Sequence, residues 1–110
     1  MRQITRDSAQ ALQGNYTFKR GNTEVTADRE LKLHGNTIAR FNNNQLEISD
    51  AGWKTVTTKE RLNGILELIN APKIYQKDFT WYYDRKDDER RSFEQDKQQN
   101  GFISVAYMLH

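Results

Sequence analysis

Apolar and polar residues alternate with period two over most of the first half of the chain, interrupted at short intervals by Gly and Asn. Tyr16 and Phe18 fall on one side of an extended segment, with Thr17 and Lys19 on the other. Gly21-Asn22 predicts a turn into a strand over Thr23 to Ala27. Leu31 and Leu33 alternate with Glu30, Lys32 and His34; Gly35-Asn36 predicts the next turn, Thr37 to Phe41 the next strand, and Asn42-Asn43-Asn44 the turn before Leu46 and Ile48. Strands joined by such short connections pair antiparallel, so this region predicts a meander.

Two stretches carry the helical period instead. Near the N-terminus, Thr5 to Gln13 predicts a short helix, capped by Thr5, favoured by Ala9, Ala11 and Leu12, and stopped at Gly14-Asn15. Further on, Leu62, Ile65, Leu66 and Ile69 recur at i, i+3, i+4 and i+7, which places one apolar stripe on a helix over about residues 57–69. Thr57 and Glu60 have the spacing of a capping box, and Asn70-Ala71-Pro72 ends the helix. Gly64 inside it weakens the helix relative to Ala by about 1 kcal/mol, and a bare backbone there suits close approach to the sheet.

The last third reads as strands over Lys73 to Lys77, Phe79 to Tyr83 and Phe102 to Tyr107. Between them, residues 84–97 hold five basic and six acidic side chains around Phe93 and predict a solvated hairpin tip or loop. The fold class expected is α+β: an antiparallel β-meander sheet with the amphipathic 57–69 helix packed on one face and a short N-terminal helix. With 110 residues the chain has room for one domain, 1–110, and no more.

Composition narrows the chemistry. Cysteine is absent, which removes disulfides, thiolate metal sites and a cysteine nucleophile together, and favours an intracellular compartment. The first seven residues lack the apolar run of a signal peptide, and no stretch has the length of a membrane span, so no membrane partner is expected. The formal charge is only +2, with eight basic and six acidic residues in positions 1–55 and nine of each in 56–110. No linear cluster of cations is present, and counterion release needs one.

His34 and the C-terminal His110 are the only histidines. A hydrolytic zinc site takes three protein ligands and a general base needs a nucleophile to act on, so His34 reads as a turn residue. The acids Asp84, Asp87, Asp88 and Glu89 lack the fixed offsets and the glycine of a calcium loop, and Arg85, Lys86, Arg90 and Arg91 interleave with them as ion-pair partners. Neither catalytic residue, metal nor cofactor is predicted. Gly52 to Lys59 enters the second helix but lacks the phosphate-loop spacing; Thr57, Thr58 and Lys59 remain candidates for contact with an anion, and Trp53 is expected to plug the end of the core.

The richest segment is the aromatic and charged run from Tyr75 to Arg91. On a strand, Phe79, Trp81 and Tyr83 share one face and Tyr82 the other. Candidate binding residues are Tyr75, Lys77, Trp81, Tyr82, Arg85, Asp87, Asp88, Arg90 and Arg91. Tyr, Trp and Arg anchor protein interfaces, and aromatics beside cations stack bases of single strands.

Leu31-Lys32-Leu33-His34-Gly35-Asn36-Thr37-Ile38-Ala39, then Ile48-Ser49-Asp50-Ala51-Gly52-Trp53 and Thr57-Thr58-Lys59-Glu60-Arg61-Leu62-Asn63, resembles a family of small tailed-bacteriophage proteins of unknown function over about residues 16–70. The resemblance implies an accessory protein working in the cytoplasm of a bacterial host, and it brings no functional residues with it. The expectation is a binding protein that inhibits or modulates a host nucleic-acid machine by protein contact, such as a CRISPR-type defence complex, a polymerase or a repair enzyme. The alternative is direct binding of single-stranded DNA or RNA.

Overall fold

The computed structural model describes residues 1–109. Helix α1 runs over Gln3–Gly14, and strands β1 (Phe18–Arg20), β2 (Thr23–Val25), β3 (Glu30–Leu33), β4 (Asn36–Asn42) and β5 (Gln45–Ile48) follow as a meander. Then come helix α2 (Val56–Leu68), strands β6 (Tyr75–Lys77), β7 (Thr80–Asp84) and β8 (Arg90–Ser92), the helical turn α3 (Phe93–Asp96), strand β9 (Ile103–Ser104) and the turn α4 (Val105–Met108). The fold is α+β, with an antiparallel meander as the main sheet.

The described residues form two sheets. The larger is ordered β1-β2-β3-β4-β5-β9 and the smaller β6-β7-β8, both antiparallel. Val25, Leu31, Leu33, Ile38 and Ile48 line the larger sheet's buried face and meet Leu12 of α1 with Leu62, Ile65 and Leu66 of α2. The apolar stripe of α2 is therefore core, as its period requires.

Both helix starts differ from expectation. The residue before α1 is Arg2, and Thr5, expected as its cap, is wholly buried inside the helix. Thr55 caps α2: its Oγ1 accepts from the Thr58 amide at 3.1 Å. Glu60 is drawn away from the capping role by distant partners, accepting from Arg2 Nε at 2.8 Å, from Thr5 Oγ1 at 2.7 Å and from Arg61. Arg61 is itself buried at 2% exposure, donating through Nη1 to Thr5 Oγ1 and through Nε to Thr23 Oγ1. One guanidinium thus joins α1, α2 and β2, and each of its hydrogen bonds is the kind a buried charge needs. Gly64 does mark a close approach, but the neighbour is α1 and not the sheet.

Two of the meander's turns are two-residue hairpins in which both central residues take positive φ. His34-Gly35 (φ 52° and 80°) connects β3 to β4, one residue earlier than Gly35-Asn36, and Asn43-Asn44 (54° and 64°) connects β4 to β5. His34 Nε2 lies 3.3 Å from Asn22 Nδ2, bracing one turn against its neighbour.

The C-terminal third departs most. Residues 84–97, expected as a wet tip, supply β8 and α3, and Phe93 is completely buried. The predicted strand over Phe102 to Tyr107 is extended only at Ile103–Ser104 before it coils into α4, which buries Val105 and Met108 at helical spacing. Among the described residues no helix is long and apolar enough to cross a membrane.

Candidate functional site

The register of the small sheet sorts its side chains. Tyr75 lies opposite Tyr82, and Tyr82 opposite Ser92; Tyr83 lies opposite Arg91, and Asp84 opposite Arg90. Residues two apart share a face, so Tyr75, Lys77, Tyr82, Asp84 and Arg90 form the outer face, while Trp81, Tyr83 and Arg91 turn inward. Trp81 is 1% exposed and meets the Phe93 ring edge-on at 5.4 Å. Its place among the candidate contact residues is therefore corrected: it holds the module together from beneath.

Beneath the sheet, Asp96 organises the charges. Tyr83 donates its hydroxyl proton to Asp96 Oδ2 at 2.6 Å, and Arg91 Nη2 donates to Asp96 Oδ1 at 2.6 Å. Burial and this hydrogen bond to a carboxylate push the Tyr83 phenol well above its ordinary range. Burial alone would raise Asp96, but Arg91 and Tyr83 outweigh it and hold the carboxyl below its usual value. Arg91 also bonds Glu89, so it is committed to structure. Asp87 accepts from the Glu89 amide, and Asp88 takes a φ of 67°, so this pair shapes the β7–β8 loop. Arg85 lies over the Tyr107 ring at 4.6 Å.

On the outer face, the ring centroids of Tyr75 and Tyr82 are 6.0 Å apart, and the Arg90 guanidinium lies 4.1 Å above the Tyr82 ring. Tyr75 donates to Asp84 Oδ1 at 2.8 Å. Of the nine candidates, Tyr75, Lys77, Tyr82 and Arg90 are thus brought together. Residues 73–90 carry five basic and five acidic side chains, so this face has no cationic excess.

A second feature was not legible in the chain. Asp78-Phe79 is the turn of the β6–β7 hairpin, with φ values of 51° and 67°. Phe79, expected to share a face with Trp81 and Tyr83, is instead 91% exposed at the hairpin's tip. No Gly or Asn announces that turn, and an aromatic after Asp reads as strand.

The trio at the start of α2 is divided. Thr58 is buried with its hydroxyl 2.9 Å from that of Thr55. Thr57 borders a groove of about 390 Å³ with Leu33, His34, Ile38 and Trp53. Lys59 borders a separate groove of about 490 Å³ between α2 and β6, lined by Val56, Ile74 and Tyr75. Trp53 does not plug the core; it is 64% exposed. The buried group beside it is Asp50, which accepts from Lys54, from Lys97 and from the Gly52 amide. Burial pushes its carboxyl up, and these donors outweigh burial and leave it below the ordinary range. Among the described residues, no three His, Asp or Glu side chains gather as metal ligands.

Comparison with known proteins adds one match. The model of a family described as Kyanoviridae Gp96 protein matches residues 1–103, so the likeness extends well beyond residues 16–70 and takes in the small sheet. No curated protein and no solved structure matches the chain.

Proposed function

The chain belongs to the Kyanoviridae Gp96 protein family of tailed phages, and from that premise we propose that it is a protein-binding module. It acts in the cytoplasm of the infected bacterium by contact and not by catalysis, inhibiting or modulating a host nucleic-acid machine such as a defence complex, a polymerase or a repair enzyme. The observation that carries the reading is the outer face of the small sheet, where the half-buried rings of Tyr75 and Tyr82 pack beside the exposed Arg90 amid balanced charge. These are the residue types that anchor protein interfaces, and a rim of both signs selects a partner without attracting polyanions at large.

Direct binding of single-stranded nucleic acid is the second reading, favoured by the paired Tyr rings beside Arg90 and Lys77. The five carboxylates among residues 73–90 oppose it, since they repel phosphates. Affinity capture of the full chain from an expressing bacterial host, repeated with Tyr82→Ala and Arg90→Glu, tests the proposal. One host complex enriched by the wild type and weakened by both variants is expected. An absence of any enriched protein, together with salt-sensitive shifts of labelled oligonucleotides, would transfer support to the second reading.

A further inference from the structure

Three two-residue hairpin turns of this chain hold both central residues at positive φ: His34-Gly35, Asn43-Asn44 and Asp78-Phe79. The first two use residues that tolerate the left-handed region, Gly through its missing Cβ and Asn through its short polar side chain. Phe79 does not belong to that class, since a bulky side chain at φ 67° is strained. Its ring is also the most exposed large apolar group described, at 91%. Backbone preference and burial preference are therefore both violated at one residue, and held there by the paired strands behind it. Lys77 pairs with Thr80 across the hairpin, closing the tip on a rigid base. Strain that the surroundings hold in place gathers at binding elements.

We propose that Phe79 is an anchor that inserts into an apolar pocket of a partner protein, with the β6–β7 hairpin as the arm that presents it. This rests on the protein-binding reading above and adds the kind of surface the partner must offer. The pocket is deep enough for one aromatic ring, and its rim carries charges of both signs. Lys77 and Asp78, which precede Phe79 directly and are both exposed, ask for a carboxylate and a cation there. Hot spots of this type are single aromatic side chains that lose all their water on binding, ringed by polar contacts. A nucleic acid offers no such pocket flanked by a cation, and Asp78 opposes a phosphate at the same place.

The test places p-benzoylphenylalanine at position 79 of the full chain in an expressing bacterial host, with the same group at Tyr16, an exposed aromatic position outside the hairpin, as control. Irradiation should give one protease-sensitive, nuclease-resistant adduct at position 79 that is absent at position 16. Competition by co-expressed unlabelled chain should remove that adduct for wild type and for Phe79→Leu, and should weaken at least about tenfold for Phe79→Gly. Folding is not at risk in the last variant, because Gly suits the turn and should raise Tm. An adduct destroyed by nuclease, an adduct of twice the chain's own mass, or Phe79→Gly competing as well as wild type would each overturn the proposal. If a host complex is captured and is sensitive to Tyr82→Ala while Phe79→Gly competes normally, the anchor falls and the protein-binding reading stands. If nothing is captured and no adduct forms, both fall.

Discussion

A Cβ placed on Gly64 would lie 2.5 Å from Cγ2 of Thr5, so the two long helices touch where one of them has no side chain. Thr5 cannot step aside, because its hydroxyl is held by Glu60 and Arg61. Gly64→Ala should gain about 1 kcal/mol of helix propensity and lose roughly 1–3 kcal/mol to overpacking, for a net fall in stability. Thr5→Ser removes Cγ2 and keeps the hydroxyl. The double variant should therefore recover most of the loss, which urea unfolding of all four proteins would show; additive effects would refute the contact.

Arg61 offers a sharper contrast between two substitutions. Arg61→Ala removes one donor each from Glu60, Thr5 and Thr23 and leaves a cavity where a wholly buried side chain lay, and should cost roughly 3 kcal/mol. Arg61→Met fills similar space without a charge and should fall much less far, since a buried ion replaced by apolar volume is often near neutral. Denaturation midpoints at matched m-values would separate them.

The carboxyls of Asp50, Glu94 and Asp96 are all held below their ordinary values. The folded state then binds fewer protons than the unfolded one, so stability rises with pH across this window. The contribution is fully present above the unfolded carboxylate value of about 4 and is lost as pH falls through the lower folded values. Asp50→Asn should lower stability at neutral pH by about 1.5–3 kcal/mol, from lost charge-assisted bonds to Lys54 and Lys97, and flatten the decline in acid. Tm measured from pH 7 to pH 3 would check both effects.

Phe93 supports the binding face from below. Phe93→Ala should destabilise by roughly 3–5 kcal/mol, and the loss should be read first as faster amide exchange in β6, β7 and β8. Unchanged protection there would mean that the small sheet stands without α3.

The meander was readable because each of its signals is local: period-two alternation and Gly or Asn at the turns. The stripe of α2 was readable for the same reason. Thr57 and Glu60 have capping-box spacing, yet Thr55 is the cap and Glu60 bonds Arg2, Thr5 and Arg61 instead. Arg2 and Thr5 lie 58 and 55 residues from Glu60, so no local window of sequence contains them. The charged run 84–97 concealed a core residue, because Phe93 is one apolar position among eleven ionic ones and its partner Trp81 lies twelve residues away. The binding candidates were legible as a segment but not as a face. Pairing put Tyr75, Tyr82 and Arg90 outside and Trp81 and Arg91 inside, and the turn that lifts Phe79 is marked by Asp78 alone, with no Gly or Asn beside it.

Asn63 of α2 donates from Nδ2 to the Ile74 carbonyl at 2.9 Å and accepts the Ile74 amide at 2.7 Å, as a neighbouring strand would. A side-chain amide thus supplies the last rung beside β6, and it closes that edge against another chain at this point. Ile74 consequently becomes a built-in reporter: its amide proton is guarded by a helix side chain, so its exchange with solvent records the docking of the small sheet onto α2. An observer following that one proton would see the C-terminal arm lift away while the meander stays folded.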